Sequence, residues 1–96
     1  MAKGYWIFQT TITDPSTYQE YVARDGAAFA KHGARFLVRG GDFQAVEGTT
    51  RQRHVLIEFD SYEAAQACYA SPEYQNASSF RRAAAITDLV IVKGTD

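Results

Sequence analysis

The sequence predicts an α+β domain, a four-stranded antiparallel sheet with its helices gathered on one face. Three observations lead there. Four short segments are dense in aromatic and β-branched residues, the composition that suits a pleated, half-buried surface. Between them lie stretches whose apolar residues recur at helical spacing. Two of the helical starts carry the same signature, a capping residue followed at once by proline: Asp14-Pro15 and Ser71-Pro72.

Tyr5–Ile12 reads as the first strand, closed by Thr13-Asp14-Pro15. A helix follows over 15–31, because Tyr18, Tyr21, Val22 and Phe29 share one face. Gly33 is its natural stop, with Lys31 and His32 in the last turn, where positive charge is favoured. Ala34–Arg39 is a second strand, Gly40-Gly41 permits a bulge or sharp bend, and Phe43–Glu47 can continue the strand beyond it. Gly48–Gln52 is a turn region and Arg53–Phe59 the third strand. A helix over 62–69 is capped either by Asp60, three residues before Glu63, or by its rival Ser61. Ser71-Pro72 breaks it, and a second helical piece covers 73–85. Asp88–Val92 is a buried fourth strand. The order strand, helix, strand, strand, helix, strand is that of a ferredoxin-like βαββαβ unit.

Composition bounds the rest. The chain has 96 residues, of which 46% are hydrophobic and 22% charged, enough for one core and one domain spanning 1–96. Ten basic against eleven acidic residues leave a net charge of -1, so no basic excess favours nucleic acid or an anionic membrane. The opening Met1-Ala2-Lys3-Gly4 runs into Tyr5-Trp6-Ile7-Phe8 and then polar Gln9, unlike a signal peptide, and no apolar run spans a membrane. A cytoplasmic protein is the expectation. The lone Cys68 excludes an internal disulfide framework, and with only His32 and His54 besides, no metal site is expected. Gly40-Gly41 lacks the spacing of a phosphate-binding turn.

Strand composition also speaks to assembly. With helices on one face only, the other face should alternate towards polar residues if water covers it. Instead Tyr5 and Ile7 oppose Trp6 and Phe8, and Leu89 and Ile91 oppose Val90 and Val92. A patch so apolar is expected to be covered by a second copy, sheet against sheet, in a homodimer.

Arg35-Phe36-Leu37-Val38-Arg39-Gly40-Gly41, Val55-Leu56-Ile57-Glu58-Phe59 and Ser71-Pro72-Glu73-Tyr74-Gln75, with Gly4-Tyr5-Trp6 and Asp88–Val92, resemble the family catalogued as domain of unknown function 1330. The resemblance covers nearly the whole chain. It implies a dimeric α/β-barrel built from two ferredoxin-like units. That superfamily holds cofactor-free monooxygenases, muconolactone isomerases, chlorite dismutases and stress-response proteins. The family itself carries no settled activity, so the reaction stays open.

Candidate site residues come from the residues themselves. Arg39 stands in an otherwise apolar strand beside a flexible glycine pair and is the expected charged contact for a ligand, in a cleft with apolar walls. In the hairpin it could lie near Glu58, either as an ion pair or as polar lining of a cavity. Tyr18 and Tyr74 are further ligand-binding candidates. His32 and Tyr69 are the candidates for acid–base work, His32 having the alternative role of a helix-end cation. Two functions follow. One is a small enzyme or binding protein for a partly apolar molecule, with no bound cofactor, monooxygenase-like or isomerase-like if it is an enzyme. The other is a non-catalytic dimeric module, stress-related or regulatory. A pocket filled by side chains favours the second.

Overall fold

The computed structural model describes residues 2–96. Its elements are β1 (Gly4–Ile12), α1 (Pro15–Lys31), β2 (Arg35–Arg39), β3 (Arg53–Phe59), α2 (Tyr62–Ala70), α3 (Pro72–Ala84) and β4 (Ala85–Lys93). The sheet order is β2-β3-β1-β4, with every neighbouring pair antiparallel, which is the ferredoxin-like arrangement.

The helix starts follow from their caps. Asp14 accepts from the Thr17 amide at 3.3 Å and from the Thr17 hydroxyl at 2.7 Å, and Pro15 follows without needing an amide partner. Of the two rival caps of α2, Ser61 does the work, its hydroxyl accepting from the Ala64 amide at 3.0 Å. Asp60 is drawn off instead by the Arg35 guanidinium, 3.1 Å away. Ser71 ends α2 and starts α3, accepting from the Tyr74 amide at 3.2 Å, so the chain breaks at Pro72. Gly33, at φ 68°, turns the chain out of α1.

Three expectations about the strands need correction. Phe43–Glu47 does not continue β2; residues 40–52 form a loop. Gly40, at φ 71°, turns the chain out of the strand. The bulge lies earlier, between Phe36 and Val38. β4 is also longer than expected, beginning at Ala85 directly from α3, where the Ala84 carbonyl accepts from the amides of Thr13 and Asp14.

Pairing sorts the side chains into two layers. Trp6 faces Ile57 and Ile91 across the sheet, and Phe8 faces Val55 and Leu89; these point at the helices. Trp6 is fully buried, donates its indole N–H to the Ala65 carbonyl at 2.8 Å, and meets Phe29, Tyr69 and Tyr74 edge-on. Edge-on contacts suit the ring quadrupoles and add to the burial of so much aromatic surface. The opposite face carries Tyr5, Ile7, Leu56, Val90 and Val92, with Ile7 47% and Val90 53% exposed.

Candidate ligand-binding cleft

The bulge in β2 determines where Arg39 works. Arg35 pairs with Glu58 on the open face, as regular alternation requires. The extra residue at Leu37 then shifts the register, so that Val38 pairs with Leu56 on the open face and Arg39 pairs with Val55 on the helix side. The expected proximity of Arg39 and Glu58 is therefore corrected: they lie on opposite faces. Glu58 belongs to Arg35, which donates to it at 3.0 Å, and also accepts from the Tyr5 hydroxyl at 3.1 Å. Arg35, then burial opposing it, then Tyr5 hold the Glu58 carboxyl below its ordinary range.

On the helix side, Arg39 stands at the rim of a narrow cleft between α1 and the sheet. Its guanidinium lies 4.2 Å from the centre of the Phe36 ring. Arg53 from β3 and Asp25 from α1 share the cleft with it, as do Tyr18, Phe29 and Val55. Asp25 is 5% exposed. Burial pushes its carboxyl up from 3.8 to about 6, against the pull of Arg39 and Arg53. Neither arginine makes a salt bridge among the described residues. The void left in the cleft is about 10 Å³, room for one water at most.

Behind the cleft, the Tyr21 and Tyr74 hydroxyls are hydrogen-bonded at 2.9 Å, both fully buried. Burial raises both phenols, keeping them protonated. Arg81 from α3 lies 5.8 Å from the Tyr21 ring and is 5% exposed. Its Nε, like that of Arg53, is buried without a hydrogen-bond partner.

Of the residues singled out from the sequence, Tyr18 and Arg39 share this cleft, and Tyr74 lies behind it. Tyr69 stacks on Tyr74 at 5.6 Å and on Trp6, in the aromatic core. His32 caps α1, its Nδ1 2.9 Å from the Ala28 carbonyl, and does not line the cleft. Glu58 is on the other face. Asp25, Arg53 and Arg81 were missed. Asp25 nonetheless left a trace: it stands seven residues after Tyr18 and four after Tyr21, an acid inside the apolar stripe of a helix.

The open face has a concavity of about 370 Å³ floored by Ile7, Leu56 and Val90, with Gln9, His54 and Asp88 at one end. The polar end is tied together: the Thr50 hydroxyl donates to the Gln9 side-chain oxygen Oε1 at 2.9 Å, and Arg51 reaches Asp88 at 2.7 Å. No group of three or more His, Cys, Asp or Glu converges among the described residues. No helix among them is long and apolar enough to cross a membrane.

A ferredoxin-like sheet with one bare apolar face and a charged cleft under its first helix defines the class of protein. The chain belongs to the family described as domain of unknown function (DUF1330), whose model matches residues 3–95. Solved structures repeat the fold at low identity. A protein of unknown function from Rhodopseudomonas palustris superposes with a TM-score of 0.79 at 16% identity, over 99% of this chain and 84% of that one. SnoaB, a cofactor-independent oxygenase from Streptomyces nogalater, gives 0.65 at 13% identity over 100% and 96%. A dimeric ferredoxin-like protein of unknown function from Thermobifida fusca gives 0.56 at 14% identity over 99% and 92%. No functionally curated protein matches the chain in sequence.

Proposed function

We propose that the chain is a homodimeric module that binds a small, partly apolar molecule in the cleft between α1 and the sheet, with no resident cofactor. The observation that carries it is the set of unpaired charges there. Asp25, Arg39 and Arg53 share a narrow, aromatic-walled cleft without forming an ion pair among the described residues. Structural charges in such a place are normally paired, because leaving them unpaired is costly. Apolar walls with a few convergent polar groups are the usual make-up of a small-molecule site. Arg39 is exposed at the rim and can swing off Phe36 to admit a ligand.

The dimer rests on the open face. Ile7, Leu37, Val90 and Ile86 are each about half exposed there or at its edge, a larger apolar patch than soluble monomers usually leave bare. A second copy packed sheet to sheet covers it and leaves both clefts accessible on the outside. Light scattering at micromolar concentration is expected to show a species of twice the 10.7 kDa chain mass. Ile7→Lys is expected to reduce it to one chain. A wild-type protein that runs as a single chain removes the dimer.

The binding reading is tested by thermal shift against small carboxylates and phenols, with Arg39→Met beside the wild type. Stabilisation of the wild type that Arg39→Met abolishes is the expected result. Stabilisation that survives the substitution removes Arg39 from the site. The small void, about 10 Å³, favours the second reading, a non-catalytic module with a cleft filled by its own side chains. A complete absence of ligand stabilisation selects it.

A further inference from the structure

We propose that the cleft is an anion site, taking the carboxylate of a small organic acid between Arg39 and Arg53, with Asp25 setting when it can enter. This rests on the binding reading above and names the ligand class for it.

The charge count in the helix–sheet layer points to an anion. Arg39, Arg53 and Arg81 are set against a single carboxylate, Asp25, and among the described residues none of the three arginines has an acidic partner within salt-bridge distance. Arg81 is 5% exposed, and its Nε and that of Arg53 are buried donors with nothing to donate to. An unmet buried donor costs about 1–3 kcal/mol, and more when charged. Two in one layer mark acceptor positions that the protein does not fill itself.

The backbone is shaped around one of these guanidiniums. A Cβ built on Gly40 would meet the Arg53 guanidinium, with Cζ at 2.8 Å, and Gly40 has φ 71° besides. The positive φ favours glycine here, and with no side chain at Gly40 the Arg53 guanidinium rests against the backbone that follows Arg39. Both arginines line this one cleft, and a guanidinium fork matches the two oxygens of a carboxylate, which it holds by charge-assisted hydrogen bonds. Phe8, Val22, Phe29, Phe36 and Val55 line the rest of the cleft, whose void of about 10 Å³ takes an apolar tail only once Arg39 swings off Phe36.

Asp25 opposes the same ligand when ionised. The charged and titratable groups around it are Tyr18 and Tyr21 on its own helix, Arg39 from β2, Arg53 from β3, and Tyr74 and Arg81 from α3. Tyr21 and Tyr74 stay neutral, because burial raises both. Proton uptake by Asp25 removes a like charge and creates a hydrogen-bond donor to the incoming carboxylate. Binding of an acid is therefore tighter on the acid side of the Asp25 midpoint.

The experiment is calorimetric titration of the wild-type protein with propionate and benzoate, and with their neutral counterparts propionamide and benzamide, at about pH 5 and about pH 8. The acids are expected to bind at least about tenfold more tightly than the amides, and about tenfold more tightly at the lower pH than at the higher. Asp25→Asn is expected to abolish the pH difference and to bind acids at the higher pH as the wild type does at the lower. Arg53→Met is expected to lose acid binding at least about tenfold. If that variant fails to fold, the acid–amide comparison and the pH arm on wild type and Asp25→Asn decide the matter without it. Amides that bind as tightly as acids, with Arg39→Met weakening both, overturn the anion site and leave the cleft as a binding site. Acid affinity that is flat with pH, or a pH difference unchanged in Asp25→Asn, overturns the role of Asp25. No binding of any of the four probes overturns both the anion site and the binding reading.

Discussion

Replacing Asp25 by Asn removes the one buried carboxylate of the cleft with little change of shape, and its effect on stability can be worked from the structure. Burial pushes the carboxyl from 3.8 to about 6. The folded protein thus holds this proton more tightly than the unfolded chain does. Its contribution to stability is full below about 3.8 and is lost as the pH rises through about 6. At ~1.4 kcal/mol per pKa unit, the loss is about 3 kcal/mol, and screening at the cleft mouth lowers it to about 1–3 kcal/mol. The paired carboxyls Glu58 and Glu73, held below their ordinary range by Arg35 and by a backbone N–H with Lys31, act in the opposite sense at lower pH and are common to both proteins. The difference between wild type and variant therefore isolates Asp25. Urea unfolding at intervals from about pH 4 to pH 8 should show Asp25→Asn gaining on the wild type by about 1–3 kcal/mol, with the gain appearing across the midpoint of Asp25. A constant difference across the whole range would refute the reasoning, because it would mean that the carboxyl is solvated enough to ionise freely in the fold.

Two further predictions concern the frame around the cleft. Gly4→Ala should cost about 1–3 kcal/mol in denaturant unfolding, because the new Cβ would meet the Ser61 carbonyl and lie 2.7 Å from the Tyr62 Cα, backbone that cannot rotate away; wild-type stability in the variant would contradict the close approach of β1 to the start of α2. Cys68 is fully buried, burial pushes its thiol up to about 12, and its Sγ lies 3.7 Å from the Ala28 carbonyl, so a thiol-specific reagent should label it only as fast as the protein unfolds, and rapid labelling of the native protein would disprove this.

Much of the architecture was legible because local signals agreed with one another. Asp14-Pro15 and Ser71-Pro72 start helices for reasons confined to a few residues, and both act as expected. The two-sided apolar character of β1 and β4 likewise reports the bare face directly, since alternation carries one side chain to each layer. The competition between Asp60 and Ser61 was not decidable locally. It turns on Arg35, twenty-five positions away along the chain, which claims the Asp60 carboxylate. The site was legible only in part. Arg39 and Tyr18 could be singled out by residue type, but their companions Asp25 and Arg53 come from other elements, and register brings them together. Glu58 was given the wrong arginine for the same reason, since parity counted from Arg35 assigns Arg39 to its face.

A strand carries its side chains in two alternating frames, and one residue bulged out of the ladder moves everything after it into the other. Leu37 is such a frameshift within five residues of β2. Were the bulge flattened with Leu37 kept in the ladder, Leu37 would pair with Leu56, Val38 with Val55 and Arg39 with His54: Arg39 would emerge on the bare face, and Val38 would enter the layer beneath α1. That one change of pairing would strip a cation from the cleft and plant it at the β2 edge of the bare face, although composition and net charge stayed the same. The single bulge in this short strand is thus what separates the bare apolar face from the layer that holds the charges.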